Sequence, residues 1–160
     1  MKPVLGFPRS GLKNDSILVT SASCPDGWVS HRSSCYWFTK DRFSFHDAEN
    51  YCQGQHAFGH LVQVDDSTEN SFIKDTLKAM HGAHRWMGLT DEKEEGTWVW
   101  VGSNTPTNFT DWFPGQPNSN TGEEDCVIFT NYNGYRWYDV SCNSNYEPIC
   151  EMPSSGPVVG

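Results

Sequence analysis

The sequence predicts an α+β domain in which two helices come early, short strands follow, and one long irregular loop interrupts the strands. Three observations predict it. Apolar residues recur at helical spacing in two segments before Gly82, short strand-like runs replace that pattern afterwards, and six cysteines form an even set without a CxxC pair. At 160 residues the chain has room for one domain with a real core and too little for two of ordinary size. Its 7 Trp, 6 Tyr and 9 Phe exclude the disordered class, which is poor in such residues.

Residues 1–23 mix Pro, Gly, Ser and Lys without sustained periodicity and read as an N-terminal extension. Residues 153–160 read as a short tail, which leaves a compact unit at 24–152. The extension has neither a Gly-X-Y repeat nor heptads, so no element for oligomerisation is indicated. Within the unit, Cys35-Tyr36-Trp37-Phe38 is rich in strand formers. Ser44 is a candidate N-cap for a helix whose Phe45, Ala48, Tyr51 and Cys52 keep helical spacing. A second helix starts at Asp66-Ser67, carries Phe72, Ile73, Leu77 and Met80 on one face, and stops by Gly82. Strand-like runs follow at 86–89, 98–101, 126–130, 135–140 and 149–152. Between them, residues 102–125 are crowded with Asn, Thr, Pro and Gly; so long a loop in a compact domain is usually functional.

Charge and cysteine content narrow the function. With 20 Asp plus Glu against 11 Lys plus Arg, the net charge is -9 and the pI near 4.9. There are too few cations to build a face for a phosphate backbone, so no nucleic-acid partner is expected. No run approaches the roughly 18 apolar residues of a membrane span, and residues 1–8 are too broken by proline for a signal-peptide core. The cysteine set argues against a zinc ribbon or redox pair and for three structural disulfides in an oxidising compartment, six reduced core thiols being the alternative. Two sequons, at Asn14 and Asn108, lean toward a secreted, extracellular protein.

The long loop supplies oxygen ligands at close spacing: Gln116, Asn118, Glu123, Glu124 and Asp125, with Asp139 on the strand that follows. Hard cations such as calcium take six to eight oxygens, and an irregular loop can point several at one spot. On spacing alone these residues read equally well as a solvated loop. No GxSxG elbow, P-loop or GxGxxG occurs, and neither the pair His56 and His60 nor the pair His81 and His84 has the glutamate of a HExxH motif, so no enzyme is indicated. Trp86, Trp98, Trp100 and Trp137 read as core rather than as a sugar-stacking platform, and Trp112 is the least decided.

The chain resembles a C-type lectin domain from Cys24 to about Met152. The residues that carry the resemblance are Cys24-Pro25-Asp26-Gly27-Trp28, Cys52, Trp86-Met87-Gly88-Leu89, Pro114-Gly115-Gln116-Pro117-Asn118, Glu124-Asp125-Cys126, Trp137-Tyr138-Asp139-Val140-Ser141-Cys142 and Cys150. Among subgroups it is similar to the single-domain perlucin-like lectins of invertebrates. The resemblance implies the C-type lectin fold and the pairings Cys24 with Cys35, Cys52 with Cys150, and Cys126 with Cys142.

It also implies a principal calcium held by Gln116 and Asn118 around a cis Pro117, by Glu124, and by the strand pair at Tyr138 and Asp139. Tyr138 departs from the pattern, because a phenol is a poor substitute for the amide carbonyl of the usual asparagine. A second calcium is implied at Asp91, Glu95, Asp125 and the carbonyl of Glu124, although Ser119 stands where an Asp usually does. Glycans are the implied partners, two sugar hydroxyls completing the calcium shell while the same side chains hydrogen-bond them. The motif Gln116-Pro117-Asn118 is half of a mannose-type pattern and half of a galactose-type one. The expectation is therefore weak, broad recognition with mannose-type sugars slightly ahead. The alternative is a relative that uses the acidic loop for mineral, ice or protein surfaces.

Overall fold

The computed structural model describes residues 23–118, 123–132 and 134–155. The extension up to residue 22, the sequon at Asn14, Ser119 and the end of the tail lie outside the described residues. In chain order the elements are β1 (Val29–His31), β2 (Ser34–Phe38), α1 (Phe45–Gln55), β3 (His60–Leu61), α2 (Ser67–Met80), β4 (Arg85–Thr90), β5 (Val99–Trp100), β6 (Thr105–Pro106), β7 (Cys126–Phe129), β8 (Trp137–Val140) and β9 (Glu147–Pro153).

Both helix starts follow from their caps. The Ser44 hydroxyl accepts the Asp47 N–H at 3.4 Å, and the Asp66 carboxylate accepts the Glu69 N–H at 2.8 Å. Glu69 reaches back to accept the Asp65 N–H at 2.9 Å, a near-reciprocal box that satisfies two otherwise orphaned donors. At the other end of α2 it is His81, not Gly82, that takes the left-handed conformation, with φ 53°, while the Gly82 N–H donates to Leu77 O at 3.1 Å. The face that α2 buries is Glu69, Asn70, Ile73 and Leu77. Phe72 is half-buried yet packs against the core, whereas Met80 is 44% exposed, so one of the four residues expected on that face lies off it. Polar side chains with partners waiting on neighbouring elements took the inner positions.

Two ladders meet in one sheet. β9 pairs antiparallel with β2 from Ser34↔Pro153 to Phe38↔Ile149, with β1 outside β2 and β3 also on β9. β4 carries β5 and β7, and β7 carries β8 with Cys126↔Val140 and Phe129↔Trp137 in register. The joint between the ladders, β4 on β9, is a short parallel contact among strands that otherwise pair antiparallel. β1, β3 and β6 were not expected from the sequence, since two or three residues carry no readable period.

One core cluster gathers Ile73 and Leu77 of α2 with Met87, Trp100, Phe129 and Trp137. The other gathers Phe45, Ala48 and Cys52 of α1 with Trp86, Ile128 and Cys150. Trp86, Trp100 and Trp137 are thus core as expected, whereas Trp98 is half-buried and packs at 5.2 Å against Trp112. The three disulfides are Cys24–Cys35, Cys52–Cys150 and Cys126–Cys142, as the resemblance implied. Cys52–Cys150 closes 98 residues, which in the chain-entropy account contributes up to about 4.7 kcal/mol. Among the described residues, no helix is long and apolar enough to cross a membrane.

Candidate functional site

The long loop is fastened to β8 before it reaches its polar residues. The Trp137 N–H donates to Asp111 O at 2.9 Å and the Phe113 N–H to Trp137 O at 2.8 Å, so 111–113 runs parallel beside the strand. A turn follows, closed by the Gln116 N–H on Phe113 O at 2.9 Å. Pro114 at its second position and Gly115 at its third, with φ 90°, supply type II chemistry, in which the third residue must tolerate positive φ. Next comes a cis bond between Gln116 and Pro117, and then the Asn118 N–H donates to Asp139 on β8 at 3.2 and 3.3 Å. Trp137 to Asp139 is therefore the template on which the loop is laid.

This arrangement brings Asn118 to Asp139, 21 positions further along the chain, with Gln116 two residues before Asn118 and Glu124 near enough to feel the Asp139 charge. Asp139 is fully buried, Glu124 half-buried and Asn118 exposed. Burial, and then the Asp139 charge, push the Glu124 carboxyl above its ordinary range. The Gln116 Oε1 atom is buried without a hydrogen-bond partner among the described residues. A buried amide oxygen without a donor, on a loop whose next residues meet a buried carboxylate, is a ligand that a hard cation fits. Tyr138 is placed otherwise. Neighbours on a strand point to opposite faces, and the Tyr138 ring lies 5.7 Å from Phe113 and packs on the cluster that holds Cys126 and Trp86.

The second acidic group assembles in part. Ligand atoms of Asp91, Glu95 and Asp125 all lie within 4.8 Å of one another. Asp91 is 1% exposed; its Oδ2 accepts the Gly96 N–H at 2.8 Å, while Asp91 Oδ1 and Asp125 Oδ1 are buried without hydrogen-bond partners among the described residues. Burial foremost, with Asp125 and Glu95 alongside, pushes the Asp91 carboxyl up. Two desolvated carboxylates with unpaired oxygens fit a cation bound between them. The Glu124 carboxyl is not in this group and feels the Asp139 charge instead; the ligand implied here is the Glu124 carbonyl.

The histidines set aside above have ordinary roles. His60 Nδ1 meets the buried Glu49 carboxylate at 2.7 Å, His56 packs edge-on against Trp28, and His84 Nδ1 accepts the Asn131 N–H at 3.1 Å. A further group, Glu92 with Cys126 and Cys142, offers no thiolate because the cysteines are bridged. Reading the sequence missed Asn70 and Asp111, which hold the base of the loop; the one available signal was a polar residue at a buried position of α2.

A family model described as the lectin C-type domain matches residues 41–152. The chain belongs to the C-type lectin domain family. That domain is a carbohydrate-binding, non-enzymatic one. The chain is 39% identical over 125 residues to a perlucin-like protein of Mytilus galloprovincialis, covering 77% of this chain and 78% of that one. It is 38% identical over 144 residues to human C-type lectin domain family 10 member A, covering 86% of this chain and only 43% of that longer protein. Among solved structures it is similar to the cow C-type carbohydrate-recognition domain of CD23 in the presence of a GlcNAc2Man3 oligosaccharide. That likeness has a TM-score of 0.72 and 27% identity, covering 82% of this chain and 97% of that chain.

Proposed function

We propose that this C-type lectin domain binds glycans in a calcium-dependent way through Gln116, Asn118, Glu124 and Asp139. The observation that supports the reading is the bond of Asn118 to the buried Asp139, with Glu124 within reach of that charge and a buried Gln116 amide oxygen that has no partner among the described residues. Calcium, when bound, supplies a centre to which two neighbouring sugar hydroxyls can add their oxygens. The residues supply the rest: the half-buried Glu124 carboxylate accepts a hydroxyl proton, the buried Asp139 carboxylate contributes charge toward the cation, and amides of Gln116 and Asn118 donate through their nitrogens when their oxygens face the cation. Both flanking amides then donate, so recognition is broad, with mannose-type sugars slightly ahead of galactose-type.

Asp91, Glu95 and Asp125 form a supporting cation site on the same reading. The domain at 24–152 acts as a secreted module, and the exposed Asn108, with Thr110 exposed two residues on, is a glycosylation acceptor in the secretory route. A glycan array probed with calcium and again with chelator tests the central claim. Retention on glycans that chelator abolishes is the expected result. Binding to mineral or protein surfaces that ignores both chelator and free sugar would favour the non-sugar alternative, toward which the departure at Tyr138 points.

A further inference from the structure

We propose that Asn70, on α2 and remote in sequence from the loop, is the positioning residue that sets the geometry of the cation and sugar site; this rests on the reading of that site given above. Asn70 is 4% exposed and uses both ends of its amide. Its Nδ2 donates to Asp111 Oδ2 at 2.8 Å, and its Oδ1 accepts the Trp137 Nε1–H at 3.1 Å. One side chain thus grips both strands of the joint between loop and β8, directly beneath the two backbone bonds that flank Trp112. Asp111 receives further support from Lys74 Nζ at 2.7 Å and Arg136 Nε at 3.3 Å, so its carboxylate is fully engaged.

The chain of placement runs outward from this grip. Asp111 and Trp137 fix the start of 111–113, Phe113 closes the turn onto Gln116, and Asn118 meets Asp139 two residues beyond Trp137 on β8. A shift at Asn70 therefore moves the Gln116 and Asn118 side of the site relative to its Asp139 side. Lys74 and Arg136 hold Asp111 alone; Asn70 also holds Trp137, which is what makes it a register device and not only a charge partner. Buried amides that are satisfied at both ends specify a unique arrangement in this way.

The test exchanges the polarity of the pair. N70D sets two carboxylates face to face and removes the donor to Asp111, while still able to accept the Trp137 Nε1–H. D111N added to it restores a donor from the loop side, and Lys74, four residues along the helix, can pair with the new carboxylate at position 70. Amide hydrogen exchange at Phe113 and Asn118 is measured without metal, and calcium dissociation constants by calorimetry. In N70D we expect both amides to exchange at least tenfold faster, the Tyr36 amide in the distant β2 ladder to be unchanged, and calcium to bind at least tenfold more weakly. In N70D/D111N all three readouts return to within threefold of the parent. If N70D does not fold, Asn70→Ser, too short to span both partners, is read the same way. Loosening spread equally to Tyr36, a loop amide unaffected, or calcium affinity unmoved while the loop amides loosen would overturn the proposal. A parent that binds no calcium would sink the proposed function instead, and the exchange data would still decide whether Asn70 sets the loop.

Discussion

The Asn118 backbone N–H donates to both oxygens of the fully buried Asp139 carboxylate, at 3.2 and 3.3 Å. The bond joins the exposed Asn118 of the loop to a strand carboxylate that is closed to water. Replacing Asp139 with Asn keeps an acceptor for this N–H and removes a formal charge. Calcium affinity follows ligand charge, so Asp139→Asn should weaken calcium at least tenfold while leaving a folded domain. Calorimetry with circular dichroism checks it, and unchanged calcium binding would remove Asp139 from the site.

Calcium should raise the melting temperature, because a ligand bound only by the folded state stabilises it by mass action, about 2.7 kcal/mol at a hundredfold excess over Kd. Buried oxygens of Asp91, Asp125 and Gln116 that lack partners mark where that stabilisation arises. Chelator should reverse the shift and expose 102–125 to protease before the rest of the domain. Identical melting and cleavage with and without calcium would count against both cation sites.

What was legible in the sequence was local. Ser44 and Asp66 announce helix starts through their own side chains, and the cysteine count announces bridges, although only family resemblance chose their partners. The inner face of α2 differs from its helical period at Met80, and it takes in Glu69 and Asn70, whose burial depends on partners far along the chain. Tyr36 donates to Glu69 at 2.6 Å and Trp137 donates to Asn70 at 3.1 Å, and no helical period encodes either. The site residues were legible as types at a spacing. That the Glu124 carboxyl feels the Asp139 charge follows from the β7 and β8 pairing, which no spacing encodes.

Tyr138 offers a cleaner distinction than its place in the motif suggests. Its ring rests on Phe113, the first residue of the turn that presents Gln116, on the face of β8 opposite Asp139. On the proposed function, the ring and not the hydroxyl would then be what the site uses. Tyr138→Phe should leave calcium affinity within about twofold of the parent, whereas Tyr138→Ala should loosen the turn and weaken calcium, since a truncated aromatic leaves a cavity that the site only partly refills. A loss of sugar binding in Tyr138→Phe alone would show that the hydroxyl touches the sugar.

Sugar choice should respond to charge at the two residues flanking Pro117. Gln116→Glu creates an acceptor opposite the Asn118 donor and should sharpen the preference for mannose-type ligands. Asn118→Asp leaves Gln116 as donor and should shift preference toward galactose-type ligands. Competition on a mannose-coated surface with both monosaccharides reads the change. A parent that already rejects mannose-type sugars and holds galactose would contradict the donor and acceptor argument.

The last prediction concerns stability far from the loop. Glu151 on β9 accepts the Gln63 N–H at 3.0 Å and the Ser34 hydroxyl at 2.7 Å, with Tyr36 and His60 opposite it in register. Burial, and then the charge of Glu69, push the Glu151 carboxyl up to about 7, against the opposing pull of those two hydrogen bonds; Asp65 adds to the upward push. Burial raises Glu69 as well. A carboxyl whose folded pKa lies above its unfolded value binds a proton more tightly when folded, so its contribution is fully present below the unfolded pKa and is lost as pH rises through the folded one. Between pH 5 and 8 in chelator, urea unfolding should therefore show falling stability, with Glu151 accounting for on the order of 1 to 2 kcal/mol after discounting for its partial exposure. Glu151→Gln keeps an acceptor for Gln63 and cannot ionise, so its profile should be flatter by that amount and its advantage over the parent greatest at pH 8. Parallel profiles for the two proteins would mean that Glu151 ionises as an ordinary surface glutamate and that the Glu69 charge does not reach it.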